Sequence, residues 1–217
     1  SYINRSKLNE AKIKYIFETH FHADFVSGHL TLSKLTNAPI IYGPNATPNF
    51  DSIIAYDGQV FQVGDISITV IHTPGHTMES SCFLLKDKSL KDYALFTGDT
   101  LFIGDVGRPD LSQIQGKISI KDLSYLLYNS LRKKILPLSN DLLIYPGHGS
   151  GSSCGKNLSK KTLDTLGNQK KSNYALREDM TKVEFYNELT KDLLPPPNYF
   201  PSNVDLNKNG SMMFLIF

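Results

Sequence analysis

Four short stretches of this chain hold residues that bind metals or move protons. In order they are His20-Phe21-His22-Ala23-Asp24, Thr73-Pro74-Gly75-His76-Thr77, Thr97-Gly98-Asp99-Thr100 and Pro146-Gly147-His148-Gly149. Imidazole nitrogens and carboxylate oxygens together suit a divalent ion, and they accept zinc and iron alike. A lone His-x-His pair has a plainer reading, a hydrogen-bonded turn histidine. Four such stretches in one chain outweigh it. The other two of the six histidines, His29 and His72, sit on or beside secondary elements and read as structural hydrogen-bonders.

Each stretch follows a segment that reads as a strand. Ile13 to Glu18 alternates, Ile66, Ile68 and Val70 share one face of a strand running to about His72, and Tyr93 to Phe96 and Leu142 to Tyr145 are apolar runs. A His or Asp therefore lies just past the C-terminal end of four strands, where α/β folds place their sites. Glycine at 75, 98 and 147 lets the backbone bend and approach a ligand closely. Further strands are expected over Pro39 to Tyr42 and Cys82 to Leu85, with a loop over 43–58. Helices are expected over Gly28 to Leu35 and Ser119 to Arg132. The second has Ser119 and Asp122 as a capping box and a stripe of Leu123, Leu126, Leu127 and Leu131. Thr181 with Glu184 opens another helix, which stops at Pro195-Pro196-Pro197. The pattern is α/β, with one domain over 1–197 and a C-terminal tail or linker over 198–217.

Composition narrows the function. The formal charge of +2 comes from 23 Lys+Arg against 21 Asp+Glu, and only four of the basic residues are Arg, so neither nucleic acid nor a membrane surface is an expected partner. No run approaches the length of a membrane span. Two cysteines, Cys82 and Cys154, form no framework, which fits a cytoplasmic, reducing compartment. The chain starts at Ser1 rather than Met, so a targeting segment can precede it.

Taken together, the four stretches resemble the metallo-β-lactamase superfamily. The run 96–111, Phe-Thr-Gly-Asp-Thr-Leu-Phe-Ile-Gly-Asp-Val-Gly-Arg-Pro-Asp-Leu, is similar to the persulfide dioxygenase (sulfur dioxygenase) branch, above all to bacterial forms fused to rhodanese domains. Glu18 to His29, His148 to Gly155 and Thr165 to Leu176 fit the same branch. The resemblance implies a four-layer αβ/βα sandwich with the metal at one edge between two sheets. Members usually begin with a further strand-rich segment, so here the sandwich is expected without its N-terminal strands. A sheet edge or apolar face left open would favour a homo-oligomer.

The same resemblance implies that His20, His76 and Asp99 hold Fe(II), one per chain, with zinc able to occupy the site on purification. The substrates would be a low-molecular-weight persulfide, such as glutathione persulfide, and dioxygen. The protein partner would be a rhodanese domain, in trans or in the full-length chain. His22, Asp24 and His148 would orient ligands or water, with His22 the first candidate for a further ligand. The superfamily motif ends Asp-His, whereas Asp24 is followed by Phe25, which cannot coordinate a second metal. Arg108 has two readings: a guanidinium that locks the metal loop through Asp110 or Asp105, or a contact to a substrate carboxylate. Thr100 and Asp105 read as loop supports. Cys154 either faces the substrate or packs a turn, and Tyr174 is a further candidate for substrate contact.

Three functions compete. The first is the Fe(II) persulfide dioxygenase. The second is a thioester hydrolase resembling glyoxalase II, which uses two metals and a bridging hydroxide; Phe25 and the 104–111 signature count against it. The third is a truncated, non-catalytic sulfur-carrier or docking domain.

Overall fold

A computed structural model describes residues 1–112 and 118–210. Two sheets lie back to back. The first is parallel and three-stranded, β1 (Ile16–Phe17), β2 (Ile40–Tyr42) and β3 (Ile53–Ile54), in that order. The second has six strands in chain order: β4 (Val60–Val63), β5 (Ile66–His72), β6 (Ser81–Lys86), β7 (Asp92–Gly98), β8 (Leu143–Pro146) and β9 (Asp164–Thr165). The described residues also form six α-helices: α1 (Tyr2–Leu8), α2 (His29–Thr36), α3 (Ile120–Ser130), α4 (Leu166–Ser172), α5 (Lys182–Thr190) and α6 (Phe200–Asn209).

Alternation along the strands builds the layers. Ile40 and Tyr42 of β2 pack with Leu30 and Leu32 of α2 and Val204 of α6, while Ile41 between them packs with Phe61, Val70 and Phe83 of the second sheet. Phe83 faces the first sheet, and its neighbours Cys82 and Leu84 face Leu127 of α3 and Phe185 and Leu189 of α5. The order helix, sheet, sheet, helix is the expected four-layer sandwich. Between the sheets Phe17 meets Phe61 and Phe83 with ring centroids 5.5 and 4.9 Å apart, a geometry aromatic pairs favour.

Strand direction brings the four stretches to one edge. β6 runs antiparallel to both β5 and β7, and β8 runs parallel to β7, so β5, β7 and β8 all end at the same side. His76, Asp99 and His148 follow those ends.

Several elements differ from the sequence reading. The first strand is two residues long because β2 supplies partners only there: the Ile16 and Glu18 N–H groups donate to Pro39 and Ile41. The stretch 43–58, read as loop, contains β3. The helix after Ser119 has the expected capping box, ends as an α-helix at Ser130 and runs on as one wider turn to Ile135, which keeps Leu131 and Ile135 buried. Residues 200–209, read as tail or linker, form α6, because Phe200 and Asn207 are buried against the first sheet's loops. The rest of that stretch, 211–217, lies outside the described residues. Among the described residues no helix is long and apolar enough to cross a membrane.

Candidate metal centre

His20, His76 and Asp99 are all buried, and each offers one ligand atom within 4.8 Å of the others. Each ring is anchored at Nδ1. The His76 Nδ1–H donates to the Arg108 carbonyl (2.7 Å), and His20 Nδ1 lies 3.0 Å from Thr19 Oγ1. Both Nε2 atoms are left toward Asp99 Oδ2, at 3.9 Å for His20 and 3.4 Å for His76. Burial, reinforced by His22, holds His20 well below the ordinary imidazole range, which favours the neutral ring. Burial pushes the Asp99 carboxyl up, but His20, His148 and His76 outweigh it and hold it well below the usual carboxylate range.

A second group sits beside the first and is more open. His22, Asp24 and His148 again bring ligand atoms within 4.8 Å of one another, and all three are partly exposed. His148 Nε2 is 3.4 Å from Asp99 Oδ1 and 3.5 Å from Asp24 Oδ2. Burial lowers His148, but Asp99 and Asp24 outweigh it and raise it. Phe25 stacks on His22 with centroids 4.4 Å apart and is 44% exposed.

These residues fit a cation. Asp99 Oδ1 and Oδ2, Asp24 Oδ1, His22 Nδ1 and His148 Nε2 are buried atoms with no hydrogen-bond partner among the described residues. Each orphan of this kind costs about 1–3 kcal/mol. Several within one pair of clusters are what a site built for a positive ion leaves when only protein is counted. Glycines make the approach tight. A Cβ on Gly147 would lie 2.6 Å from Asp99 Oδ1, and one on Gly107 would collide with the Asp99 carbonyl and the His76 ring.

The loop 99–110 is held from behind. The Lys156 and Asn157 N–H groups donate to Asp105 Oδ2 (2.7 Å each), and the Tyr174 hydroxyl donates to Asp105 Oδ1 (3.1 Å). Thr100 and Thr73 hydroxyls share a hydrogen bond of 2.7 Å. Both threonine and aspartate are thus the loop supports expected. Arg108 donates from Nε and Nη2 to Asp110 (2.7 Å each), from Nη2 to the Leu194 carbonyl (2.6 Å) and from Nη1 to the Ser153 carbonyl (3.3 Å). Protein acceptors on both sides of the fork tie the 108–110 turn to the 153 and 194 backbone. Tyr174 is turned to Asp105. Cys154 is buried with its sulfur beside Asp99 and His148, and burial together with Asp99 pushes the thiol up. An enclosed, protonated thiol is a poor nucleophile.

Reading the sequence missed Asn207 of α6. Its side-chain N–H groups donate to the His22 and Phe25 carbonyls (2.8 Å each), and its Oδ1 accepts from the Ser27 N–H (2.7 Å). Asn203 adds a bond to the Ala23 carbonyl (3.0 Å). One buried amide thus clamps the His22–Asp24 loop from about 180 residues away, and no local pattern marks it.

The chain is 33% identical over 142 residues to a probable hydroxyacylglutathione hydrolase of Schizosaccharomyces pombe, across 65% of this chain and 50% of that protein. A metallo-beta-lactamase from Staphylococcus aureus superposes with a TM-score of 0.92 and 33% identity, over 100% of this chain and 65% of that one. ETHE1 from Myxococcus xanthus has the same fold, with a TM-score of 0.77 and 24% identity over 95% of this chain and 81% of that one. The chain spans about half the length of the curated relative. The family model for the metallo-beta-lactamase superfamily matches residues 3–148, which take in His20, His22, Asp24, His76, Asp99 and His148. By sequence and fold, this chain belongs to the metallo-beta-lactamase superfamily.

Proposed function

We propose that this chain is a persulfide dioxygenase in which His20, His76 and Asp99 hold one Fe(II). The substrate is a low-molecular-weight persulfide such as glutathione persulfide, in the overall reaction RSSH + O2 + H2O → RSH + H2SO3. A rhodanese domain, in trans or in a longer chain, is the proposed protein partner, and a reducing cytoplasm the proposed setting.

The observation that carries this reading is the inequality of the two clusters. Two histidines and one carboxylate, all buried, form a set suited to non-haem Fe(II) with positions left open. The neighbouring cluster meets Phe25 where another ligand would complete a second metal site. Bound Fe(II) supplies the redox chemistry with dioxygen and sulfur that zinc lacks. The protein supplies the rest. His76 is fixed by the Arg108 carbonyl so that Nε2 keeps its lone pair for the metal. His22, Asp24 and His148 stand on the more exposed side, where an entering persulfide gives up its S–H proton and water arrives.

A second reading is thioester hydrolysis. It is favoured by the name of the S. pombe relative and by the grouping of His22, Asp24 and His148, which offers three atoms to a second ion. Protein loaded anaerobically with Fe(II) separates the two. Oxygen uptake with sulfite release on adding glutathione persulfide, and no hydrolysis of a glutathione thioester, is the expected result. Thioester hydrolysis without oxygen uptake replaces this reading with the second.

A further inference from the structure

Glu18 is buried one residue beyond β1, and nothing in the reading above uses it. Its Oε2 lies 3.4 Å from His22 Nε2. The Ser27 hydroxyl donates to its Oε1 (2.9 Å), and His29 Nδ1 stands 3.7 Å from the same oxygen. The Ser27 hydroxyl in turn accepts from the His29 N–H (3.3 Å), and the Ser27 N–H donates to Asn207. The carboxylate is therefore fixed from several sides while its free oxygen points at one nitrogen of His22. The other ring nitrogen, His22 Nδ1, is buried and has no hydrogen-bond partner among the described residues.

We propose that Glu18 is a positioning residue that sets the tautomer of His22. A carboxylate beside Nε2 is an acceptor, so it draws the ring proton to Nε2. The lone pair is then left on Nδ1, in the cluster with Asp24 and His148. This arrangement is the reverse of His76, whose proton sits on Nδ1 against the Arg108 carbonyl. The two histidines take opposite tautomers because opposite nitrogens face a protein acceptor. For His22 the consequence is a lone pair on Nδ1 that faces Asp24 and His148. What that lone pair meets during turnover, unlike the tautomer, rests on the proposed function. Stacking by Phe25 and the amide clamp of Asn207 hold the ring and its backbone in place.

The test is long-range 1H–15N correlation of the histidine rings in metal-free protein, with His22 assigned by the loss of its signals in His22→Gln. The wild-type protein is expected to carry the His22 proton on Nε2 and the His76 proton on Nδ1. In Glu18→Met, which keeps the volume but not the carboxylate, the His22 proton is expected to spread over both nitrogens while His76 keeps its tautomer. Ser27→Ala releases one carboxylate oxygen and shifts His22 the same way by less. It decides the matter if Glu18→Met does not fold. A His22 proton on Nδ1 in the wild type, or an unchanged tautomer in the folded variants, overturns the proposal. With Fe(II) bound, Glu18→Met is expected to keep one iron per chain and to lose roughly 10–100-fold in kcat, the usual cost of an outer partner. The spectra need neither metal nor persulfide. A failure of oxygen uptake in the wild type would therefore remove the dioxygenase reading and leave the tautomer assignment standing.

Discussion

The two histidine clusters are neighbours built on different terms. His20, His76 and Asp99 are enclosed, and both rings are anchored at Nδ1. His22, Asp24 and His148 are partly exposed, and the loop that carries His22 and Asp24 has an α6 amide and a stacked phenylalanine as support. An enclosed, anchored set binds an ion with little reorganisation. A more open set suits proton transfer to molecules that enter and leave. Burial, more than residue type, distinguishes two sets of nearly the same chemistry.

Breaking the enclosed set is expected to have the largest effect. His76→Ala removes a ligand, so iron affinity in chelator competition should fall by more than the roughly 10–100-fold that loss of an outer partner costs, and turnover should vanish. Iron held as tightly as in the wild type would place the ion elsewhere. Breaking the open set should separate binding from turnover. His22→Ala is expected to retain one iron per chain by elemental analysis and to lose about 10²-fold or more in kcat. Loss of the iron itself would make His22 a ligand and erase the distinction.

A smaller effect is expected from the support. Asn207→Ala leaves two carbonyls and one N–H of the His22–Asp24 loop without their partner, a cost of about 3 kcal/mol read from the urea midpoint. An unchanged midpoint would show that α6 is not needed to hold that loop. The smallest effect lies outside both clusters, where Lys134 Nζ donates to the half-exposed Asp57 (2.7 Å) and to the His72 carbonyl (2.7 Å). Burial raises Asp57, but Lys134 and the His72 N–H outweigh it, so its carboxyl lies below the ordinary 3.8. A lowered folded value means the contribution is complete above the unfolded value and fades as pH falls through the folded one. Lys134→Met is expected to cost less than about 1 kcal/mol at neutral pH, and less still in acid, with metal content unchanged. A penalty that grows as pH falls would contradict this sign.

Much of the site was legible in the sequence because its residues sit at fixed offsets from strand ends. Glycine and proline beside His76, Asp99 and His148 marked where the backbone turns. The strands over Pro39 to Tyr42 and Cys82 to Leu85 were legible as apolar runs, but which face of each meets the other sheet was not, because Ile40 and Ile41, or Phe83 and Leu84, are apolar on both sides. What could not be read was held by long-range partners. The Arg108 guanidinium meets the Ser153 and Leu194 carbonyls, partners that no local pattern announces. Residues 200–209 have weak periodicity, because α6 is held by Phe200 and by the polar clamp of Asn207 rather than by an apolar stripe. Glu18 carries no pattern of its own: its meaning comes from Ser27, His29 and His22 folding around it.

The division between the clusters comes down to how many ions the chain holds. Metal-free protein would be saturated anaerobically with Fe(II), and in parallel with Zn(II), then desalted and counted by elemental analysis. One ion per chain in both, lost in His76→Ala and kept in His22→Ala, is the expected result. Two tightly held ions per chain would contradict it, and would turn the open cluster into the second half of a dinuclear, hydrolytic centre.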